Sequence, residues 1–436
     1  MKRYQPSRRD FLKTSTAVAG AAATLTVARG AHAAGSDAIK FALIGCGGRG
    51  TGAAANCMNV QQTIGQKIKL VAVADAFEDR ANGALNQLKK GYAGQIDVPK
   101  DRVFVGLDAY KKAIDSDVDM VVMGTPPGFR PIHYAYAVEK GKHVFMEKPC
   151  CTDAPGFRSL LESNKLADQK KLKVVVGLQR HHQAGYIQGV NEIHDGKLGD
   201  LLFLRVYWNG LGGGARDIGP RKPGQKDEMQ FQIRNWGCFL WLYGDNIVEQ
   251  HVHNLDIANW ALSKQGLGPD MAHPLEANGM GGRVHKGNYG DILDHHAVEY
   301  TYKDGVKVFS QSRHIEGTWD QVNEHAHGTK SNRGVATGGG PKLENGNPYD
   351  QEHVDLVKAI LKDQPLNEGW FGAYSSMTAV LGRMATYSGQ IVKWDDAVAK
   401  GPQESPEQIA WDALPRHLPN EDGFYPFPVP GVYKPY

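Results

Sequence analysis

The chain has 436 residues, 41% of them apolar and 22% charged, long enough for two domains with cores of their own. Residues 1–33 carry Lys2, Arg3, Arg8, Arg9, Lys13 and Arg29 against Asp10, a net +5, so the formal +3 of the whole leaves about 3 − 5 = −2 for the rest. That balance gives no sign of a basic nucleic-acid surface, five cysteines make no disulfide framework, and no run after the leader is long and apolar enough to cross a bilayer.

Residues 1–33 read as an address. Ser7-Arg8-Arg9-Asp10-Phe11-Leu12-Lys13 is a twin-arginine signal, followed by an apolar region over 17–27 and the cleavage pattern Ala31-His32-Ala33. The competing reading, a membrane anchor, is disfavoured because the apolar run is short and rich in alanine. The expected partner is the twin-arginine export machinery, and the expected location is the periplasm.

The next stretch organises the chain. Apolar residues 39–44 run into Gly45, Gly47, Gly48 and Gly50, and a helix-compatible segment follows. Gly45-x-Gly47-x-x-Gly50 between strand and helix is the pattern of a dinucleotide site. The first glycine permits the turn, the second lets the backbone approach a pyrophosphate, and the third lets helix pack on strand. The helix N-terminus offers free N–H groups to the phosphates. The run from Lys69 ends in Asp75, about 25 residues past Gly50, where a carboxylate holds ribose hydroxyls. A carboxylate there repels a 2′-phosphate, which favours NAD over NADP, although Arg49 and Arg80 are placed to neutralise one. The twin-arginine route exports folded proteins, and no free nicotinamide pool exists outside the inner membrane. A dinucleotide enzyme sent there must hold its cofactor tightly and regenerate it within each cycle.

Strands and helices then alternate: helix 80–90, strand 103–105, helix 109–114, strand 120–123, helix 132–140, strand 143–146, helix 154–169 and strand 172–177. Six strands with intervening helices describe a doubly wound parallel sheet. Ligands in such sheets sit past the carboxyl ends of the strands. Thr125-Pro126-Pro127, Glu147-Lys148 and Gln179-Arg180 fall at those ends. Pro149 disfavours helix at Lys148 and holds that strand end extended.

GCGGRG, TPP about 75 residues later, HVFMEKP and VVVGLQR together resemble the glucose–fructose oxidoreductase / inositol dehydrogenase / rhizopine catabolism (Gfo/Idh/MocA) family. The resemblance covers essentially the whole chain after the leader. It implies an α/β N-terminal Rossmann-like domain over 37–178. It also implies an α+β C-terminal substrate domain over 179–436, with a mostly antiparallel sheet and helices of 349–390 packing back on the first domain. The expected cofactor-binding residues are Gly45, Gly47, Gly48, Arg49, Gly50, Asp75, Thr125, Pro126, Glu147, Lys148 and Gln179. In the family the lysine of EKP, here Lys148, reaches both the substrate hydroxyl and the nicotinamide ribose.

A second chemical stretch is Glu249-Gln-His251-Val-His253-Asn-Leu-Asp256, ending at Trp260. On a continuous helix, residues 249, 253, 256 and 260 share one face. A carboxylate one turn from an imidazole orients it and raises its basicity. The family carries D-x-x-x-H here, with the histidine as catalytic base or its partner. His253 matches the histidine, and Glu249 replaces the aspartate with one more methylene. The expected catalytic residues are Lys148, His253 and Glu249, with Asp256 structural. Histidines are many after 250, but no zinc-type spacing appears, so no metal is expected.

Runs near 201–208, 298–302 and 306–314 are β-like. Residues 211–229, rich in glycine, proline and charge, read as a mobile loop or lid over the site, with Arg216, Arg221 or Arg234 available to a substrate. Helices are expected at 349–363 and 373–387. The aromatic and proline-rich tail from 423 reads as an extended arm on its own or a neighbouring subunit. The resulting expectation is an exported NAD(P)-dependent oxidoreductase of a sugar, cyclitol or glycoside, with recycled cofactor, as a homo-oligomer. The alternatives are a glycoside hydrolase working through an oxidation–elimination–hydration–reduction cycle, and a non-catalytic sugar-binding protein.

Overall fold

A parallel sheet of six strands carries the glycine turn. The computed structural model describes residues 38–211 and 215–436; the leader read over residues 1–33, and residues 212–214 of the expected loop, lie outside the described residues. The strands are β1 (Ala38–Ile44), β2 (Lys67–Asp75), β3 (Val103–Val105), β4 (Met120–Met123), β5 (His143–Met146) and β6 (Val174–Val176), in the order β3-β2-β1-β4-β5-β6. All five pairings are parallel. The order reverses between β1 and β4, which opens a crevice at their carboxyl ends.

The connecting helices are α1 (Gly48–Ile64), α2 (Glu78–Tyr92), α3 (Ala109–Ile114), α4 (Arg130–Glu139) and α5 (Ala154–Gln169). They cover both faces of the sheet, so its strands read as continuous apolar runs. Along β1, Ile39, Phe41 and Leu43 enter one core, while Ala42 and Ile44 enter the other.

A second sheet follows: β7 (Leu201–Asn209), β8 (Glu276–Gly282), β9 (His295–Thr301), β10 (Lys307–Arg313), β11 (Gln321–Gly328), β12 (Asn332–Gly334) and β13 (Val392–Lys393). Its order is β12-β11-β7-β10-β9-β8-β13. It is antiparallel except between β7 and β10, which run parallel in the middle. Around it lie α6 (Ala184–His194), α7 (Glu228–Arg234), α8 (Leu240–Tyr243), α9 (Asn246–Glu249), α10 (Val252–Leu262), α11 (Pro348–Leu361), α12 (Gly369–Ser388) and α13 (Trp394–Lys400).

The last long helices tie the sheets together. α11 packs on α1 and sends Val354, Leu356, Val357 and Ile360 into the core that holds Phe41 and Leu43. Residues 366–368 then extend the β6 edge, with Leu366 accepting from the Val174 amide and Glu368 donating to its carbonyl, both at 2.9 Å. α12, almost wholly buried, runs between α5 and β8. Among the described residues no helix is long and apolar enough to cross a membrane.

Two sequence expectations need correcting. Residues 249–260 are not one helix: α9 ends at Glu249 and α10 starts at Val252. The amide of His251 reaches back five residues to the Asn246 carbonyl (3.2 Å), a wide turn held in place because the His251 ring meets Ser310 of β10 at 2.7 Å. Nor are the described residues of the 211–229 stretch a free loop. Arg221 is 9% exposed, its side chain ion-paired to Asp227 and Glu228 and its amide bonded to the Gly423 carbonyl.

Candidate active site

Gly45 leaves β1 with φ +88°, and a Cβ there would lie 2.4 Å from the Thr125 amide nitrogen. A Cβ on Gly50 would lie 1.9 Å from the Gly45 carbonyl oxygen. These two glycines let α1 press onto the strand ends. Gly47 and Gly48 differ, since a Cβ on either meets nothing within 4 Å. They face an open cavity of about 510 Å³. α1 begins there with no side-chain cap and no acid in its first turn. Its N–H groups and positive dipole end are left for an anion.

Asp75 closes β2 beside this cradle. Its carboxylate accepts from the amides of Cys46 (2.7 Å) and Phe77 (2.9 Å), which fixes the glycine turn to the β2 end. Burial pushes its pKa up, and the two amides oppose that. Each oxygen keeps a lone pair for a hydroxyl donor. An open glycine cradle, an uncapped helix end and an acceptor carboxylate on one cavity fit a dinucleotide.

Arg49 is not placed to neutralise a 2′-phosphate. Its Nε lies 2.7 Å from Glu147 Oε1, its guanidinium stands over the Tyr349 ring, and it donates to Asn56. It belongs to the β5 end of the cavity. Arg80 stays near Asp75 on the cavity wall.

At that β5 end the loops after β4 and β5 are tied by Arg130, 2% exposed, which donates to the carbonyls of Thr125 and Pro149. Thr125 Oγ1 lies 3.3 Å from His133 Nδ1. Lys148 Nζ lies 3.0 Å from Glu249 Oε1 and also donates to the Glu249 backbone carbonyl. Burial raises the Glu249 carboxyl against the opposing pull of Lys148 and Arg130. His253 is 7% exposed and stacks on Trp208 at 5.7 Å. Its Nδ1 is buried with no hydrogen-bond partner. Burial, then the charges of Lys148, Arg180 and Arg49, hold its pKa well below the ordinary value. Glu249 thus serves Lys148 and does not raise the basicity of His253, against the sequence expectation; the shift of His253 favours its uncharged ring. Gln179 donates to the Tyr349 hydroxyl at 3.2 Å.

Every residue expected from the sequence to bind cofactor or act in catalysis lines this one cavity, apart from Gly50, which packs behind it. Asp256 turns away: its carboxylate meets His181 at 2.7 Å and Ser375 at 2.8 Å, and Trp260 stacks on the same His181 ring. Sequence reasoning missed Trp208, Trp236 and Tyr349, which also line the cavity. Trp208 lies near the end of a β-like run, a visible signal. Trp236 and Tyr349 reach the site only through the tertiary fold.

Residues 39–178 match the model of an oxidoreductase family with an NAD-binding Rossmann fold (Gfo/Idh/MocA), and residues 5–26 match the twin-arginine translocation signal. An inositol 2-dehydrogenase/D-chiro-inositol 3-dehydrogenase of Halalkalibacterium halodurans is 33% identical over 141 residues, covering 31% of this chain and 36% of that one. Across this relative and two inositol 2-dehydrogenases of Klebsiella pneumoniae, the chain spans only 36–44% of their length. A glycosyl hydrolase family 109 protein of Streptomyces coelicolor is 26% identical over 183 residues, covering 41% of this chain and 34% of that one. The structure of scyllo-inositol dehydrogenase from Lactobacillus casei, with NAD(H) and scyllo-inositol bound, has the same fold. It superposes with a TM-score of 0.59 over 82% of this chain and 99% of that one, at 18% identity.

Proposed function

We propose that the chain, whose residues 39–178 match the NAD-binding domain of the Gfo/Idh/MocA oxidoreductase family behind a twin-arginine signal, is an exported oxidoreductase of sugar, cyclitol or glycoside hydroxyls. Residues 179–436 are its substrate domain, and the periplasm is where it works. One observation carries this reading: the Lys148–Glu249 pair and the neutral His253 share a cavity with the open glycine cradle.

Gly47, Gly48 and the α1 N-terminus would hold the pyrophosphate, Asp75 the adenosine ribose, and Lys148 the nicotinamide ribose. Bound NAD supplies the acceptor for the hydride that leaves the alcohol carbon. The protein handles the proton. The Lys148 ammonium, oriented by Glu249, steadies negative charge developing on the substrate oxygen. His253, kept neutral by burial, takes the hydroxyl proton as the carbonyl forms. Export makes a cofactor that stays bound and is restored in each cycle the economical arrangement.

A second reading is a glycoside hydrolase that runs the same hydride step forward and back, supported by the family 109 relative. The test denatures the mature protein and identifies released nucleotide by mass spectrometry. Stoichiometric NAD(H) is expected. Nicotinamide absorbance should then respond to an added cyclitol or sugar, and Lys148→Ala should lose about a hundredfold or more in rate. Native turnover by Lys148→Ala refutes the mechanism. Release of a chromogenic leaving group without net cofactor change selects the hydrolase.

A further inference from the structure

Beyond the reacting end, the cavity has a second built feature. Phe77 lies two residues past Asp75, at the lip where the adenosine half would be held, and is 9% exposed. The Arg234 guanidinium stands 3.8 Å from its ring centroid, and Trp411 of the C-terminal arm packs beside it at 5.7 Å. Arg234 also grips Asp79, in the first turn of α2, with two hydrogen bonds of 2.8 and 3.0 Å. Phe77 and Asp79 come from the NAD-binding domain, and Arg234 from the end of α7 in the other half.

α7 is itself fastened. Ile233 is buried in an apolar cluster with Phe77, Phe129, Trp241 and Tyr425. Glu228 accepts from Arg221 (2.6 Å) and from the Tyr425 hydroxyl (2.5 Å), and Gln232 donates to the His417 carbonyl at 2.8 Å. Ile233 and Arg234 line the same cavity as Asp75 and Phe77. A lone exposed ion pair contributes little. This one is bidentate, is stacked on an aromatic face and is backed by an apolar cluster, and each of these features adds to it.

We propose that Arg234, holding Asp79 and Phe77, is a latch over the adenosine end of the cofactor cleft, so that NAD leaves only when α7 lifts away. This rests on the NAD-dependent reading of the cavity and gives the retained cofactor a structural cause.

The test follows nucleotide exchange on intact holoprotein. Isotopically labelled NAD is added, and the bound nucleotide is identified by mass spectrometry over time. Arg234→Ala and Asp79→Asn break the pair from either side. Each should exchange at least tenfold faster than the wild type. Arg234→Lys, which keeps the charge but loses the planar fork, should fall between. Salt at about 1 M should speed the wild type and leave Arg234→Ala unchanged. Wild-type exchange rates in both broken-pair variants, at full nucleotide content, overturn the latch and leave the NAD reading standing. A wild type that neither carries nor takes up NAD(H) overturns both.

Discussion

Gly50 has no space for a side chain: its α-carbon sits where a Gly124 Cβ would fall, at 2.3 Å, and its own Cβ would enter the Gly45 carbonyl. Gly50→Ala must push α1 off the strand ends. Overpacking of this kind costs about 1–3 kcal/mol, and we expect a melting temperature lower by several degrees together with lost nucleotide retention. A variant that melts and binds like the wild type would show that the contact is elastic. The placement of Asp75, the glycines and Lys148 was legible in the sequence because each sits by local chain geometry at a strand end. Arg49 was not. Its role depends on Glu147, 98 positions on, and only the assembled sheet brings the two within 2.7 Å.

His182 shows what one side chain does for whole elements. It sits on the turn after β6 and meets Asp355 of α11 at 2.6 Å and Glu368, just before α12, at 3.1 Å. Burial opposes its charge, but Glu368 and Asp355 outweigh that and push its pKa up to about 10. Glu352, buried alongside, is pushed up by burial and by Glu147. The folded pKa of His182 exceeds the unfolded one. Its stabilisation is therefore complete below about pH 6.5 and is lost as pH climbs toward 10. Denaturant midpoints measured across that range should fall for the wild type and stay nearer level for His182→Gln. The gap should be on the order of a few kcal/mol at neutral pH. Parallel slopes would remove His182 from the account. Elements of the first sheet were readable because burial on both faces leaves unbroken apolar runs. β8 (EANGMGG) and β11 (QVNEHAHG) were not, since each has an open face and carries glycine or charge where a strand signal would be. The break between α9 and α10 was invisible for a related reason. It is set by Ser310, 59 positions beyond His251.

Over the whole molecule, the C-terminal arm lies on its own subunit and touches both halves. Glu404 donates its amide to Asp153 at the head of α5, Tyr425 is 2% exposed against α7, and Gly431 bonds to the Ser388 carbonyl at the end of α12. Removing residues 401–436 should lower the melting temperature and speed nucleotide loss, both readable on one purified sample. Unchanged values in both would make the arm ornamental. The wider consequence lies in how the first sheet is finished. Its core needs α11, and its β6 edge needs residues 366–368. On the ribosome, the first 178 residues emerge with one flank of that core missing, and must wait for the 190 residues between 178 and 368. At roughly 5–20 residues per second this is on the order of ten to forty seconds. A polypeptide stalled midway thus has an open flank on its first core and a cavity still lacking Tyr349.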